Sequence, residues 1–279
     1  MTLSACHKTP QEPPSDHPRL TSKVTMRDVI FRSVSLNRNM EYRVILPSPV
    51  PAGRRFPVVY LLHGGGGGFQ DWSNYSDVAS FAERGLILVM PEGNSSYYTN
   101  SAEHLQDRYE DYIVKDLIAD VEAQFPVMIG RSSRAIVGVS MGGFGATNAA
   151  LKHPELFGFA GALSPALDVP SRPFSIKRLG QWRHHAEIFG SWKSESRRAN
   201  DPFVLVQQTN PSAVPYIFFT CGEQEGLLSP NRNFAEALRR RSFRFEFHTR
   251  PGGHDWNQWN SWLPSLLAVL LQHIGQRVG

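Results

Sequence analysis

A glycine-flanked turn between an apolar strand and a helix constrains this chain more than any other feature. Residues 137–143 read VGVSMGG, so Ser140 stands two residues after Gly138 and two before Gly142. A serine on so sharp a turn exposes its hydroxyl only if the positions two before and two after it carry no side chain, which is the G-x-S-x-G spacing of a nucleophile elbow. Because this short pattern also arises by chance, a glycine-bearing loop with an ordinary helix-capping serine is the alternative.

The composition favours an ordinary globular protein with a large core. The 279 residues are 41% hydrophobic and 19% charged, and this length suits a single α/β domain. No window approaches the roughly 18 consecutive apolar residues of a membrane span. The net charge of +4 is scattered, apart from three arginines at 239–241 that a helix end explains better than nucleic acid does. These features argue against a membrane-spanning or nucleic-acid-binding protein.

Two cysteines are too few for a disulfide framework, but one of them bears on localisation. Cys221 lies in an apolar run and is predicted to be a small buried hydrophobe. Residues 3–6, LSAC, match the lipobox at which bacterial lipoproteins are lipidated, yet only five residues precede Cys6, whereas a signal peptide has about 7–15 apolar residues there. Two localisations stay open: the protein is either exported, as a periplasmic protein or one lipid-anchored at Cys6, or cytoplasmic.

Residues 1–23 are rich in Pro, Ser, Thr and charge, and we expect them to form a flexible tether.

Apolar runs that alternate with helical patterns predict an α/β fold with a mostly parallel sheet and helices on both faces. The runs at 57–62, 86–90 and 135–139 are nearly continuous, which is typical of strands buried on both faces. Loops at the carboxyl ends of such strands are expected to carry function. Residues 24–279 are interpreted as one domain. The regular pattern dissolves over about 164–210, where we expect an irregular insertion, either a cap above a pocket or a surface excursion.

Five glycines follow the first of these buried strands, at positions 64–68. Bare backbone is entropically costly at the end of a central strand, so a functional reason for it is expected. A pair of backbone N–H groups that stabilises an oxyanion would supply that reason. The first N–H would come from Met141, after the serine, and the second from Gly65. A floppy surface loop is the other interpretation.

Nucleophilic serine chemistry also needs a base to take the hydroxyl proton and an acid to hold that base in the right tautomer. His254 lies between the last predicted strand and the last helix, where the base stands when the order is serine, acid, histidine. Glu223 and Glu225 both follow the preceding strand. Asp255 is a competitor, although adjacent residues on a turn seldom point at one another. Other histidines have simpler explanations: His63 at the glycine loop, His153 at a helix end, and His184 and His185 in the insertion.

As a set, these motifs resemble the esterase family of α/β-hydrolases that includes esterase D, S-formylglutathione hydrolases, tributyrin and feruloyl esterases, and mycolyltransferases. The shared motifs occur in the family's order: LHGG at 62–65, MPEG at 90–93, RAIVGVSMGGFGA at 134–146, CG at 221–222 and GGHDW at 252–256. The resemblance implies the α/β-hydrolase fold, with Ser140 as nucleophile and His254 as base. It also implies that Glu225 is the acid, three residues after Gly222. The family usually has aspartate there and a shorter glycine run.

The resemblance implies a serine carboxylesterase that hydrolyses an acyl-enzyme and needs no metal or cofactor. Short acyl or aryl esters, including feruloyl and acetyl-sugar esters, are the expected small-molecule partners because no long apolar insertion is visible to shelter a fatty chain. Four aromatic residues would either line the pocket rim or merely pack: Trp72, Tyr97, Tyr98 and Trp256. An S-formylglutathione hydrolase-like thioesterase or an acyltransferase would use the same residues, and a non-catalytic binding protein is a remote alternative.

Overall fold

Eight strands form one sheet in the computed structural model, which describes residues 15–275. The strands are β1 (Val24–Ser33), β2 (Arg38–Pro47), β3 (Val58–Leu62), β4 (Ile87–Pro91), β5 (Arg134–Val139), β6 (Phe159–Leu163), β7 (Tyr216–Gly222) and β8 (Phe245–Arg250). Their order across the sheet is β1-β2-β4-β3-β5-β6-β7-β8. The β1–β2 and β2–β4 pairs are antiparallel and the other neighbours are parallel. The predicted mostly parallel α/β fold is confirmed.

The register of the parallel strands brings four of their carboxyl ends side by side. Leu62 at the end of β3 lies opposite Gly138 of β5. Leu163 at the end of β6 lies opposite Val139 of β5 on one side and Thr220 of β7 on the other. The loops that follow β3, β5, β6 and β7 therefore meet at one edge of the sheet, which is where sites form in this class of fold.

Helices cover both faces of the sheet. They are α1 (Asp71–Tyr75), α2 (Ala79–Glu83), α3 (Tyr109–Asp111), α4 (Ile118–Gln124), α5 (Met141–Lys152), α6 (Leu179–Phe189), α7 (Glu195–Ala199), α8 (Pro202–Gln208), α9 (Leu228–Arg240), α10 (Trp256–Asn260) and α11 (Leu263–His273). A π-helical stretch, Tyr112–Leu117, joins α3 to α4. Within residues 15–275, no helix is long and apolar enough to cross a membrane.

Alternate residues of the central strands enter two separate layers of the core. In β3, Val58, Tyr60 and Leu62 pack in the layer that contains α4, α5 and α9. Val59 and Leu61 pack in the layer that contains α2 and α11. All five side chains are fully buried. The nearly continuous apolar run in the sequence follows from this arrangement, because both faces of the strand meet helices.

The segment predicted to be an irregular insertion, residues 164–210, contains the helices α6, α7 and α8. At least one of its prolines begins a helix, since Pro202 is the first residue of α8. The Asp201 side chain caps that helix, where its Oδ1 accepts a hydrogen bond from Phe203 N at 2.9 Å. α6 packs on the loop after β4, where the His184 ring lies 2.8 Å from the Ser95 carbonyl oxygen. A cavity of about 270 Å³ lies between α6 and that loop.

Residues 15–23 contact the domain through a buried arginine on β2. The Arg43 guanidinium is fully buried and donates to Asp16 at 2.7 and 2.9 Å and to Asp28 at 2.7 Å. The backbone of Arg19 also donates to the Ser73 carbonyl at 2.7 Å. Residues 15–23, which belong to the predicted tether, therefore lie against the folded domain. Cys6 and the rest of the tether lie outside the described residues.

Candidate active site

Ser140 occupies a strained turn between β5 and α5. Its backbone has φ 54° and ψ −112°, a region that side-chain-bearing residues rarely adopt. The turn is held by hydrogen bonds from Ser140 N to the Leu163 carbonyl at 2.9 Å and from Ala166 N to the Ser140 carbonyl at 3.2 Å. A strained serine fixed by its neighbours in this way has the geometry of a nucleophile elbow.

The glycines on either side of Ser140 are required by close backbone contacts. A Cβ atom on Gly138 would lie 2.2 Å from the carbonyl carbon of Gly142. A Cβ atom on Gly142 would lie 2.2 Å from the Leu62 carbonyl oxygen and 2.6 Å from that of His63. The obstructing atoms belong to backbone, so they cannot rotate away. The steric reason inferred from the G-x-S-x-G spacing therefore holds in this turn.

We expect Gly142→Ala to lower the free energy of unfolding by about 3 kcal/mol or more, because the new methyl group would force the elbow away from β3. Gly180 on α6 is a matched control, since a Cβ there meets nothing within 4 Å. Gly180→Ala should stabilise the helix by about 0.5–1 kcal/mol. Chemical unfolding followed by circular dichroism measures both effects. Equal unfolding midpoints for Gly142→Ala and the unmodified chain would contradict the steric account.

The structure brings Ser140, His254 and Glu225 into one hydrogen-bonded row. His254 Nε2 lies 2.8 Å from Ser140 Oγ, and His254 Nδ1 lies 2.7 Å from Glu225 Oε2. The Glu225 side chain is fully buried, whereas that of His254 is 39% exposed. If Nδ1 carries the ring proton and donates a hydrogen bond to the carboxylate, Nε2 is left to accept the serine proton. This arrangement can transfer a proton from Ser140 during attack on an electrophile.

The two competing acids have other roles. Glu223 is exposed, and its carboxylate accepts a hydrogen bond from Thr249 Oγ1 at 3.2 Å. Asp255 caps α10, where its Oδ1 accepts from Gln258 N at 2.9 Å. Within residues 15–275, neither forms a hydrogen bond with the His254 ring, whose partners are Ser140 and Glu225. The geometry therefore favours Glu225 among the three candidates.

Gly65 and Met141 lie next to each other beside the nucleophile. A Cβ atom on Gly65 would lie 3.9 Å from Met141 Cβ, and one on Gly64 would lie 3.6 Å from Ser140 Cβ. Met141 is the first residue of α5, so its N–H has no partner within the helix. In the described chain, neither the Gly65 nor the Met141 N–H donates to a protein acceptor. Two unpaired amides next to Ser140 have the composition of an oxyanion hole.

His63 supports the glycine loop from inside. Its ring is buried, with Nδ1 2.8 Å from the Gly64 carbonyl and Nε2 accepting from Gly93 N at 2.9 Å. His63 therefore holds the backbone of two loops, at Gly64 and at Gly93, and has a structural role. The other histidines set aside from the sequence also pair elsewhere: His153 with Glu110, His184 with Ser95, and His185 with Tyr97. Burial lowers the pKa of His185 to about 4, so it is neutral near pH 7.

The four aromatic residues predicted near the pocket rim divide into two groups. Trp72 and Tyr98 are 1% and 5% exposed, so they lie in the interior rather than on the rim. Their polar atoms hold the backbone below the glycine loop: Trp72 Nε1 donates to the Leu62 carbonyl at 3.0 Å, and the Tyr98 hydroxyl donates to that of His63 at 3.2 Å. Tyr97 and Trp256 are half-buried. Only these two have exposed ring surface that a ligand could contact.

Cys221 is fully buried in β7, as expected of a small hydrophobe. Burial, together with the nearby Glu225 carboxylate, raises the pKa of its thiol to about 12. The reactive thiolate is therefore scarce near neutral pH. Within residues 15–275, no group of three or more His, Cys, Asp or Glu side chains is arranged to hold a metal ion.

Two side chains that the sequence did not single out form a chain of contacts to Glu225. Ser164 Oγ lies 2.6 Å from Glu225 Oε1, and Trp259 Nε1 lies 3.1 Å from Ser164 Oγ. Ser164 directly follows β6, and this position at a carboxyl end was the one signal that pointed to it. Trp259 had no such signal because it lies within a helix.

Comparison with known proteins places the chain among esterases. Residues 33–270 match the family model described as Putative esterase. The acetyl esterase of Caldicellulosiruptor saccharolyticus is 26% identical over 255 residues, which cover 86% of this chain and 96% of that protein.

Solved structures agree with this fold. A ferulic acid esterase, 25% identical, superposes with a TM-score of 0.77 over 91% of this chain and 99% of its own. The S-formylglutathione hydrolase of Agrobacterium tumefaciens has a TM-score of 0.81 over 93% of this chain and 99% of its own. At 19% identity, the second likeness is one of fold alone.

Proposed function

The chain belongs to the Putative esterase family of α/β-hydrolases and is an enzyme of that family, and we propose that it is a serine carboxylesterase whose nucleophile is Ser140. His254 serves as its base and Glu225 as the acid behind the base. The observation that carries this proposal is the continuous row of hydrogen bonds, 2.8 Å from Ser140 to His254 and 2.7 Å from His254 to Glu225. A row of this kind at a strained elbow gives a serine hydroxyl the base that it needs.

In the first half of the proposed reaction, Ser140 Oγ attacks the ester carbonyl carbon while His254 Nε2 takes its proton. The Gly65 and Met141 N–H groups donate to the negative carbonyl oxygen of the tetrahedral intermediate. The Glu225 carboxylate stabilises the imidazolium that forms. When the carbon–oxygen bond to the alcohol breaks, His254 returns the proton to the leaving alkoxide, and the acyl group stays on Ser140.

In the second half, water replaces the alcohol. His254 removes a proton from the water as its oxygen attacks the acyl carbon, and the same two amides hold the oxyanion. Collapse of this intermediate breaks the bond to Ser140 Oγ, which regains a proton from His254. The products are one alcohol and one carboxylic acid, and the enzyme returns to its starting state.

We propose short acyl or aryl esters as substrates, including acetyl and feruloyl esters of sugars. The half-buried Ser140 and the 39% exposed His254 side chain support an open site rather than a deep acyl tunnel. The half-buried Trp256 ring stacks edge-on with Trp259, which in turn packs against the His254 ring at 5.1 Å. An aromatic surface near the base suits an aryl or sugar group. The names of the acetyl esterase and ferulic acid esterase relatives agree with this class.

A turnover screen tests the proposed substrate class. p-Nitrophenyl esters of increasing acyl length, methyl ferulate, acetylated xylan and S-formylglutathione would be compared by kcat/KM. We expect the highest values for acetyl, butyryl or feruloyl esters, because a shallow site gains little from a longer chain. A preference for long acyl chains would contradict this expectation. S-formylglutathione as the best substrate would instead support the thioesterase alternative, and the absence of any turnover by folded protein would contradict an enzyme.

A further inference from the structure

Ser164 is a buried residue that faces the carboxylate of Glu225. It follows β6, is 0% exposed, and has a backbone φ of 49°. Its own N–H donates to the Thr220 carbonyl at 2.8 Å, which ties it to the neighbouring strand β7. Its Oγ lies 2.6 Å from Glu225 Oε1. The position of this hydroxyl is therefore set by the sheet rather than by a loose loop.

Trp259 makes a second contact with the Ser164 hydroxyl. Its indole Nε1 lies 3.1 Å from Ser164 Oγ, and its side chain is largely buried. The indole ring also packs edge-on against the His254 ring, at 5.1 Å between centroids and 88° between planes. One side chain thus contacts the proposed base directly and the proposed acid through Ser164.

The direction of these hydrogen bonds follows from the chemistry of the groups. An indole N–H can only donate, so Ser164 Oγ must accept from Trp259 and is left with its own proton to donate to Glu225. The Gly222 N–H donates to the same carboxylate oxygen, Oε1, at 2.7 Å. With Oε1 held by two donors, the other oxygen, Oε2, is turned toward His254 Nδ1 at 2.7 Å.

We infer that Ser164 and Trp259 are positioning residues that hold the Glu225 carboxylate in line with His254; this inference rests on the proposed serine esterase function. A glutamate side chain has one more rotatable bond than an aspartate would have, so its carboxylate can adopt more positions. The hydrogen bonds from Trp259 to Ser164 and from Ser164 to Glu225 Oε1 select one of these carboxylate positions.

Ser164→Ala and Trp259→Phe test the inference, with Trp262→Phe as the matched control. We expect Ser164→Ala to lower kcat by about 10- to 100-fold, because a hydrogen bond to a charged group is lost, while KM stays within about threefold. Trp259→Phe should have a smaller effect in the same direction. Trp262 is also buried, but in the described chain its Nε1 has no hydrogen-bond partner, so Trp262→Phe should leave kcat unchanged.

The double variant distinguishes a shared pathway from two separate effects. If Trp259 acts through Ser164, Ser164→Ala combined with Trp259→Phe should lower kcat about as much as Ser164→Ala alone. Fully multiplicative losses would overturn the shared pathway. The proton on His254 Nδ1, followed by nuclear magnetic resonance, gives a readout besides activity. Its resonance should shift in Ser164→Ala, which leaves the ring packed on His254 in place, and should not shift in Trp262→Phe.

Labelling with a fluorophosphonate probe separates failure of this inference from failure of the proposed function. The fraction of protein labelled gives the concentration of active sites, so kcat can be expressed per competent site. Unchanged kcat per site and an unchanged His254 resonance in Ser164→Ala would overturn the positioning role while Ser140 still reacts. Absence of Ser140-dependent labelling in the unmodified chain would overturn the proposed function itself. If Ser164→Ala does not fold, Trp259→Phe, which keeps a buried ring but lacks the Nε1 donor, decides by kcat per labelled site: a kcat unchanged from the unmodified chain would overturn the positioning role.

Discussion

Replacing Ser140 with alanine is expected to lower kcat for ester hydrolysis by roughly 10⁴- to 10⁶-fold, because the atom that forms the acyl-enzyme is removed. The fold should be retained, since the elbow is held by backbone hydrogen bonds from Ser140 N and to its carbonyl. Labelling by a fluorophosphonate probe should disappear with the activity. Steady-state kinetics and intact-protein mass spectrometry after labelling would measure the two effects on the same preparation.

An exposed serine outside the proposed site provides the control for this experiment. Ser95 lies in the loop after β4, and its side chain has no role in the hydrogen-bonded row of the proposed site. Ser95→Ala should therefore keep full labelling and turnover. If Ser140→Ala were labelled as fast as the unmodified chain, another residue would have to be the nucleophile and the proposed mechanism would be wrong.

Glu225→Gln is expected to lower kcat by roughly 10³- to 10⁴-fold, because the amide keeps the shape of the side chain but removes the negative charge behind His254. The amide can also present its N–H₂ to His254 Nδ1, which would favour the tautomer with the proton on Nε2, where the serine proton must be accepted. The comparison is Asp255→Asn. Asparagine caps a helix about as well as aspartate, so this variant should stay within about threefold of the unmodified kcat.

Thermal unfolding of both variants shows whether they are folded under the assay conditions. Glu225 is buried and accepts from Gly222 N and Ser164 Oγ, so some loss of stability in Glu225→Gln is expected. The ranking of kcat per labelled site decides between the two acids. A large loss in Asp255→Asn with little loss in Glu225→Gln would refute Glu225 as the acid.

Much of the fold could be predicted because its strands are buried on both faces. Such strands leave a nearly continuous apolar run in the sequence, as at 57–62, and the helical patterns between them imply parallel pairing. The order of the strands across the sheet was not visible, because pairing between β3 and β5 depends on contacts far apart in the chain. Regular structure at 164–210 was also missed, since prolines at helix starts look the same in a sequence as prolines that interrupt a pattern.

The aromatic residues show why neighbours in sequence can have different roles. Tyr97 and Tyr98 are adjacent, both with φ near 54°, yet the first is half-buried and the second is held inside by the His63 carbonyl. In a loop without periodicity, nothing local states which ring faces inward. Trp72 belongs to a short helix, and its burial likewise depends on the strand below it.

The sequence by itself determined the α/β class and the elbow at Ser140, because both depend on local patterns of apolar residues and glycines. The esterase family of α/β-hydrolases came from the resemblance of its motifs. The sequence also proposed His254 and Glu225 from chain order and resemblance. Only the tertiary structure decided which carboxylate faces His254, that Ser164 contacts this carboxylate and that Trp259 contacts Ser164. The two contacts of the Ser164 hydroxyl join residues 61 and 95 positions apart. The first contact exists because the parallel register of β6 and β7 brings the loops after these strands to one edge of the sheet, and the second because α10 lies against Ser164 at that edge. No local pattern in the sequence records either contact.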